Sequence, residues 1–148
     1  MIGGFGDLNF SLAFSAIGSA LGTGVAGMAA VGAMKKAFLS KKSVPFQLIV
    51  FSGFPLSQTL YGMLLRNAIK SAALPATWDN YILMMLVGLI GGSAIGMSAF
   101  MQGKAAACAC DALVETGEGT GKYIAILGII ESVAILVMAF CVLAIPKA

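Results

Sequence analysis

The chain has 148 residues, of which 59% are apolar and 10% charged, with a mean hydropathy of +0.98. That composition excludes an ordinary water-soluble domain, and at roughly 20 apolar residues per crossing it leaves room for four membrane helices and little else. The formal charge is +3, but the nine Lys and Arg residues sit mostly at the ends of apolar runs, so no nucleic-acid-binding face is expected.

The first segment, Met1 to Phe10, carries Asp7 and no Lys or Arg. It lacks the basic start of a cleaved signal peptide, so the first helix is expected to be retained. The first apolar run spans about 8–34 and stops at Lys35, Lys36, Lys41 and Lys42, a basic loop over 35–44 that the positive-inside rule places in the cytoplasm. The second run starts near Pro45, which suits a first helical turn, and continues to about Leu65, before Arg66 and Lys70. Pro75, Trp78, Asp79 and Asn80 then mark an external turn, with Trp78 and Tyr81 suited to an interface. The third run spans about 81–110, and the polar stretch 111–122 turns the chain back on the cytoplasmic side. The fourth, 123–145, ends at Pro146. Both termini are expected outside, although Arg66, Lys70 and Lys147 on that side weigh against the assignment. The fold class expected is all-α, a single membrane domain of four spans.

Cys108, Cys110 and Cys141, with no histidine anywhere, give neither a disulfide framework nor a tetrahedral zinc set, and they are read as small apolar filler. The missing histidine also removes Ser-His and Cys-His nucleophiles. Gly22, Gly24 and Gly27 fit G-x-G-x-x-G but lie inside a helix with no strand before it. Gly121-Lys122 fails as a phosphate loop, because Thr116 stands at the required first glycine and Tyr123 follows the lysine.

A shift of 74 lays Gly18-Ser19-Ala20-Leu21-Gly22 over Gly92-Ser93-Ala94-Ile95-Gly96, and a shift of 73 lays Gln58 over Glu131. The chain therefore reads as two tandem helical hairpins, about 8–72 and 80–146. Two spans per copy insert both hairpins in the same direction, unlike the inverted repeats of many transporters, and parallel copies favour a ring or bundle. Small residues recur every four positions at Gly18, Gly22, Ala26 and Ala30, and again at Gly88, Gly92 and Gly96. Such faces let backbones approach closely. They serve ordinary packing within one chain as well as a tightly packed inner circle of a ring, which is the arrangement expected here.

Glu131 lies about 13 Å into the last run by helix rise, with no basic residue within two turns on either side. Burying a carboxylate at that depth costs roughly 2.5–3.5 kcal/mol on insertion scales, so a function is expected of it. The third span descends to the same layer at Gln102, and the duplication adds Gln58. Ser57 precedes Gln58, and Tyr61 lies three residues beyond it on nearly the same face. One carboxylate, two amide oxygens and a hydroxyl are hard ligands carrying one negative charge, a set suited to one alkali ion. Pro55 denies its helix a backbone donor and so makes a free carbonyl nearby plausible.

With those residues the chain resembles the proteolipid, the rotor-ring subunit of V-type rotary ATPases, in its duplicated four-helix form. The resemblance covers nearly the whole chain and rests on four features: the glycine-rich first and third spans, Phe54-Pro55-Leu56-Ser57-Gln58-Thr59-Leu60-Tyr61-Gly62, Met101-Gln102-Gly103, and Ile130-Glu131-Ser132. It implies a Na+ site formed by Glu131, Gln102, Gln58, Ser57 and the Phe54 backbone carbonyl, with the Tyr61 hydroxyl holding the Glu131 carboxylate. Ser57 stands where the family usually has threonine, keeping the oxygen and losing a methyl. Leu56 stands where a small residue is common, with an expected effect on the local bend.

The implied partners are further copies in a ring, a stator membrane subunit with a buried arginine, a central-stalk subunit at the cytoplasmic loops and membrane lipid, with no nucleic acid. The expected place is a cell membrane, of a prokaryote. The chain is expected not to be an enzyme itself, and it needs no cofactor beyond the transported Na+ or H+. Proton transport by the same kind of ring is the alternative, since the amides and hydroxyl also suit a protonated Glu131. A small exporter of cationic drugs and a tetraspan scaffold are remoter alternatives; the exporter's carboxylate wants aromatic company, and only Tyr61 is near.

Overall fold

In the computed structural model, residues 6–72 and 74–146 are described; Met1 to Phe5 and Lys147, both used above, lie outside them. The elements are α1 (Phe10–Leu39), α2 (Gln47–Gly53), a single 3-10 turn (Phe54–Leu56), α3 (Ser57–Ser71), α4 (Trp78–Thr116) and α5 (Thr120–Ala144). No strand occurs among the described residues. Four stretches are long and apolar enough to cross a membrane: α1, α2 continued through the turn into α3, α4 and α5. The fold is that of an all-α, multi-pass membrane protein.

Helix ends differ from hydropathy ends. α1 runs on past Lys35 and Lys36 to Leu39, and α4 begins at Trp78 and runs past Asp111 to Thr116. Of the expected loop 111–122 only Gly117, Glu118 and Gly119 lie outside helices, and of the loop 35–44 the first half is helical. Hydropathy marks where hydrocarbon ends, whereas charged side chains extend a helix into water without penalty, here aided by the exposed pairing of Lys36 with Glu115 and Asp111. Thr77 caps α4 by accepting from the Asn80 amide at 3.4 Å, and Asp79 lies in its first turn, where a carboxylate suits the helix dipole. The α4–α5 turn is made by Gly117 at φ 74° and Gly119 at φ 91°, angles costly for any residue with a Cβ.

The two small-residue faces meet each other. A Cβ on Gly18 would overlap the Gly96 backbone, one on Gly103 the Gly22 backbone, and one on Gly92 the chain at Phe10 and Ser11. α1 and α4 thus lie in backbone contact along the centre of the bundle, where dispersion between close backbones replaces a hydrophobic effect that lipid does not supply. This contact closes within one chain.

Two apolar clusters flank the contact. One, near the α1–α2 and α4–α5 ends, holds Leu48, Phe51, Leu113 and Leu127; the other holds Leu65, Ile69, Met84, Ile95 and Ala134. α5 is the least embedded helix, burying only Leu127 and Ala134. Val137, Met138 and Cys141 pack partly against the second cluster, while Ile126, Ile129, Leu136, Phe140 and Leu143 face outward, as expected of a helix bordering lipid or another chain.

Candidate functional site

Pro55 has no N–H and cannot continue an α-helical ladder, so the second span tightens into a 3-10 turn at Phe54–Leu56. The turn brings Ser57 back on Phe54, whose carbonyl accepts from Ser57 Oγ at 3.1 Å. The same hydroxyl lies 3.2 Å from Gln58 Oε1. Gln58 Nε2 donates to Gln102 Oε1 at 2.7 Å, and Gln102 Nε2 donates to the Leu127 carbonyl of α5 at 2.9 Å. Both glutamines are fully buried. A continuous run of hydrogen bonds thereby crosses the bundle from the kink in the second span, through α4, to α5. Buried amides without such partners would each cost on the order of 1–3 kcal/mol.

One helical turn beyond Gln58, the Tyr61 hydroxyl donates to Glu131 Oε1 at 2.7 Å. Glu131 is half-buried near the middle of α5, and among the described residues it has no ion pair. The side chains singled out in the sequence fall into two groups. Ser57, Gln58, Gln102 and the Phe54 carbonyl form one network and Tyr61 and Glu131 a pair beside it, with the Ser57 hydroxyl next to the Tyr61 hydroxyl where the two groups meet. The groups are linked through α5, since Gln102 holds the carbonyl of Leu127, which in a regular helix also accepts the Glu131 N–H.

The donors are all oxygen and carry one charge, a set that discriminates against thiophilic metals and suits a proton or a small hard cation. Among the described residues no three His, Cys, Asp or Glu side chains converge to hold a metal ion.

Three residues escaped the sequence reading. Ser98, one turn before Gln102, donates to the Ile130 carbonyl at 2.9 Å, and its position at i−4 on the Gln102 face was the available signal. Lys104 lies within the third apolar run, exposed, its ammonium 4.9 Å from the Phe100 ring centre. Two residues past Gln102 it points to about the opposite side of α4, so it does not neutralise Glu131. Asp7 is a second buried acid: it accepts from the amides of Asn9 at 3.1 Å and Ser11 at 2.8 Å and from the Ser11 hydroxyl, and its side chain abuts Gly88. It ties down the start of α1.

The chain matches no protein-family model and no curated protein.

Proposed function

We propose that the chain is an ion-carrying subunit of a rotor ring of the V type, in which each copy carries one Na+ neutralised by Glu131. The observation that carries this reading is the carboxylate itself: half-buried near the middle of an apolar helix, held by Tyr61 at 2.7 Å and set beside the amide network of Gln58 and Gln102. A bare carboxylate there costs several kcal/mol, and a bound cation removes most of that cost. Glu131, Gln58, Gln102, Ser57 and the Phe54 carbonyl supply the oxygens after small rotations of the amides.

With its charge neutralised a site can face lipid. At a stator subunit bearing a fixed arginine the ion leaves and another enters from the opposite side. Each elementary charge moved through 100 mV exchanges about 2.3 kcal/mol, so several ions must be gathered per ATP, which is what a ring of copies provides. The ATP chemistry belongs to other subunits in this reading, with the cytoplasmic ends of the helices meeting a central stalk.

A proton in place of Na+ is the second reading. It is favoured by the closure of the amides on one another and of Gln102 on Leu127, which leaves Glu131 needing only Tyr61. Carbodiimide labelling of Glu131 separates the two: with Na+ as the passenger, millimolar sodium at neutral pH protects Glu131, whereas unprotected labelling that depends on pH alone identifies the proton. The mass of the detergent-extracted assembly checks the ring, since a monomer in mild detergent removes it.

A further inference from the structure

Among the described Ser and Thr hydroxyls that donate a hydrogen bond, most bond within their own helix or turn. Ser15 donates to Ser11 and Leu12 carbonyls, Ser52 to Ile49, Ser71 to Ala68, Thr116 to Ala112 and Ser132 to Ile129. Such back-bonding is the default for a hydroxyl in a helix. Ser98 departs from it: almost fully buried, it donates across the interface to the Ile130 carbonyl of α5, the residue directly before Glu131. One turn further along α4, Gln102 donates to Leu127, also on α5.

The two acceptors lie in the turn directly before the carboxylate. In a regular helix the Leu127 carbonyl also takes the Glu131 N–H and the Ile130 carbonyl that of Ala134. A carbonyl has two lone pairs, so neither helix bond need break for the second donor. The apolar packing that fixes the rotation of α5 is thin: it fully buries only Leu127 and Ala134, with Val137, Met138 and Cys141 partly buried against the second cluster, and apolar surface gains little by leaving lipid for protein. A rotation of α5 by about 20° would sweep a carboxylate carried about 6 Å from the axis through about 2 Å, enough to break the bond from Tyr61.

We propose that Ser98 is a positioning residue for Glu131: Ser98 and Gln102 form a two-point clamp on the α5 backbone that holds the carboxylate against Tyr61 and beside the amide network. With one point alone α5 can pivot; with two it cannot. The proposal rests on Glu131 being the ion-carrying group, while the clamp itself is independent of which ion that is.

The test uses the full chain in its native membrane assembly, with carbodiimide labelling of Glu131 read by mass spectrometry in S98A, S98C and S98T. S98A removes the donor, S98C weakens it and S98T keeps it. In S98A the sodium concentration that half-protects Glu131 should rise about three- to tenfold, the range expected for one hydrogen bond between membrane helices. S98T should stay within about twofold of wild type, because the hydroxyl is retained. Unchanged protection in S98A, or equal shifts in S98A and S98T, overturns the clamp; the second result would mean that only the volume at position 98 matters. S98C replaces S98A if the latter fails to accumulate, and the same outcomes decide. If sodium protects nothing even in wild type, the sodium reading falls and the clamp is judged from the pH of half-maximal labelling, which S98A should move and S98T should not. An unmoved pH in S98A then overturns the clamp.

Discussion

Gln58 and Glu131 answer to each other in the two hairpins under a 73-residue shift, yet their surroundings differ. Gln58 is sealed, fully buried, and bonded to Gln102 and Ser57. Glu131 is half-buried, with one side-chain bond, from Tyr61. An amide is permanently neutral and tolerates enclosure once its partners are in place, whereas a carboxylate enclosed as tightly would have no route by which to gain or lose its passenger. In the proposed function the comparison separates two roles: the amides of Gln58 and Gln102 are a fixed, sealed wall, and Glu131 is the group that changes state at the edge of the bundle.

The sharpest way to break that comparison is to make the two positions alike. E131Q leaves two neutral amides, and ion-coupled turnover of the intact assembly should fall at least about a hundredfold, consistent with the role expected of an intramembrane acid. Turnover at the wild-type level in E131Q would make the second hairpin no different from the first. Next in size is the packing that aligns the hairpins. A Cβ at Gly18 or Gly92 meets backbone that has no room to move, whereas Gly24 and Gly32 face open space. G18V and G92V should therefore abolish accumulation of folded protein, the overpacking cost being on the order of 1–3 kcal/mol or more at each contact. G24V and G32V should stay within about 0.5 kcal/mol of wild type in thermal unfolding in detergent. Equal losses in all four would show that glycine serves some purpose other than close approach.

The span count was legible because apolar runs of the required length have few other uses, and Glu131 because a charge there has almost none. Gln102 and Tyr61 followed from helix rise and helical spacing, which place residues in layers but not in rotamers. Rotamers are what divide the layer into a Gln58–Gln102 network and a Tyr61–Glu131 pair, and no pattern of residue types encodes that division. The helix ends were misjudged at Lys35 and Asp111 since hydropathy registers solvent and not backbone. Asp7 was passed over for the related reason that an acid near the start of a helix is ordinary in sequence; only the contact with Gly88 reveals that it is buried.

Removing single members of the wall should cost less than removing the charge. Q58A and Q102A each leave a buried partner unsatisfied, at about 1–3 kcal/mol, and the half-protecting sodium concentration for Glu131 should rise about tenfold or more in each. Q102A should be the more severe, because its amide also holds the Leu127 carbonyl of the helix bearing Glu131, whereas Gln58 reaches α5 only through Gln102.

The smallest effect is the most informative about how the two groups communicate. Y61F keeps the ring and deletes the hydroxyl that donates to Glu131, so the loss is one half-buried bond, about 1 kcal/mol, and a shift in half-protection of about fivefold. Gln58 and Tyr61 share no direct hydrogen bond and meet through the Ser57 hydroxyl, so the double variant Y61F/Q58A should show the two single effects added to within about 0.5 kcal/mol. Y61F and Q102A should fall short of additivity. Loss of the Gln102 amide already loosens α5, and with it the alignment on which the Tyr61 bond depends. A coupled Tyr61 and Gln58 would instead mean that the Ser57 hydroxyl or the ion, and not α5 alone, joins the glutamine network to Glu131.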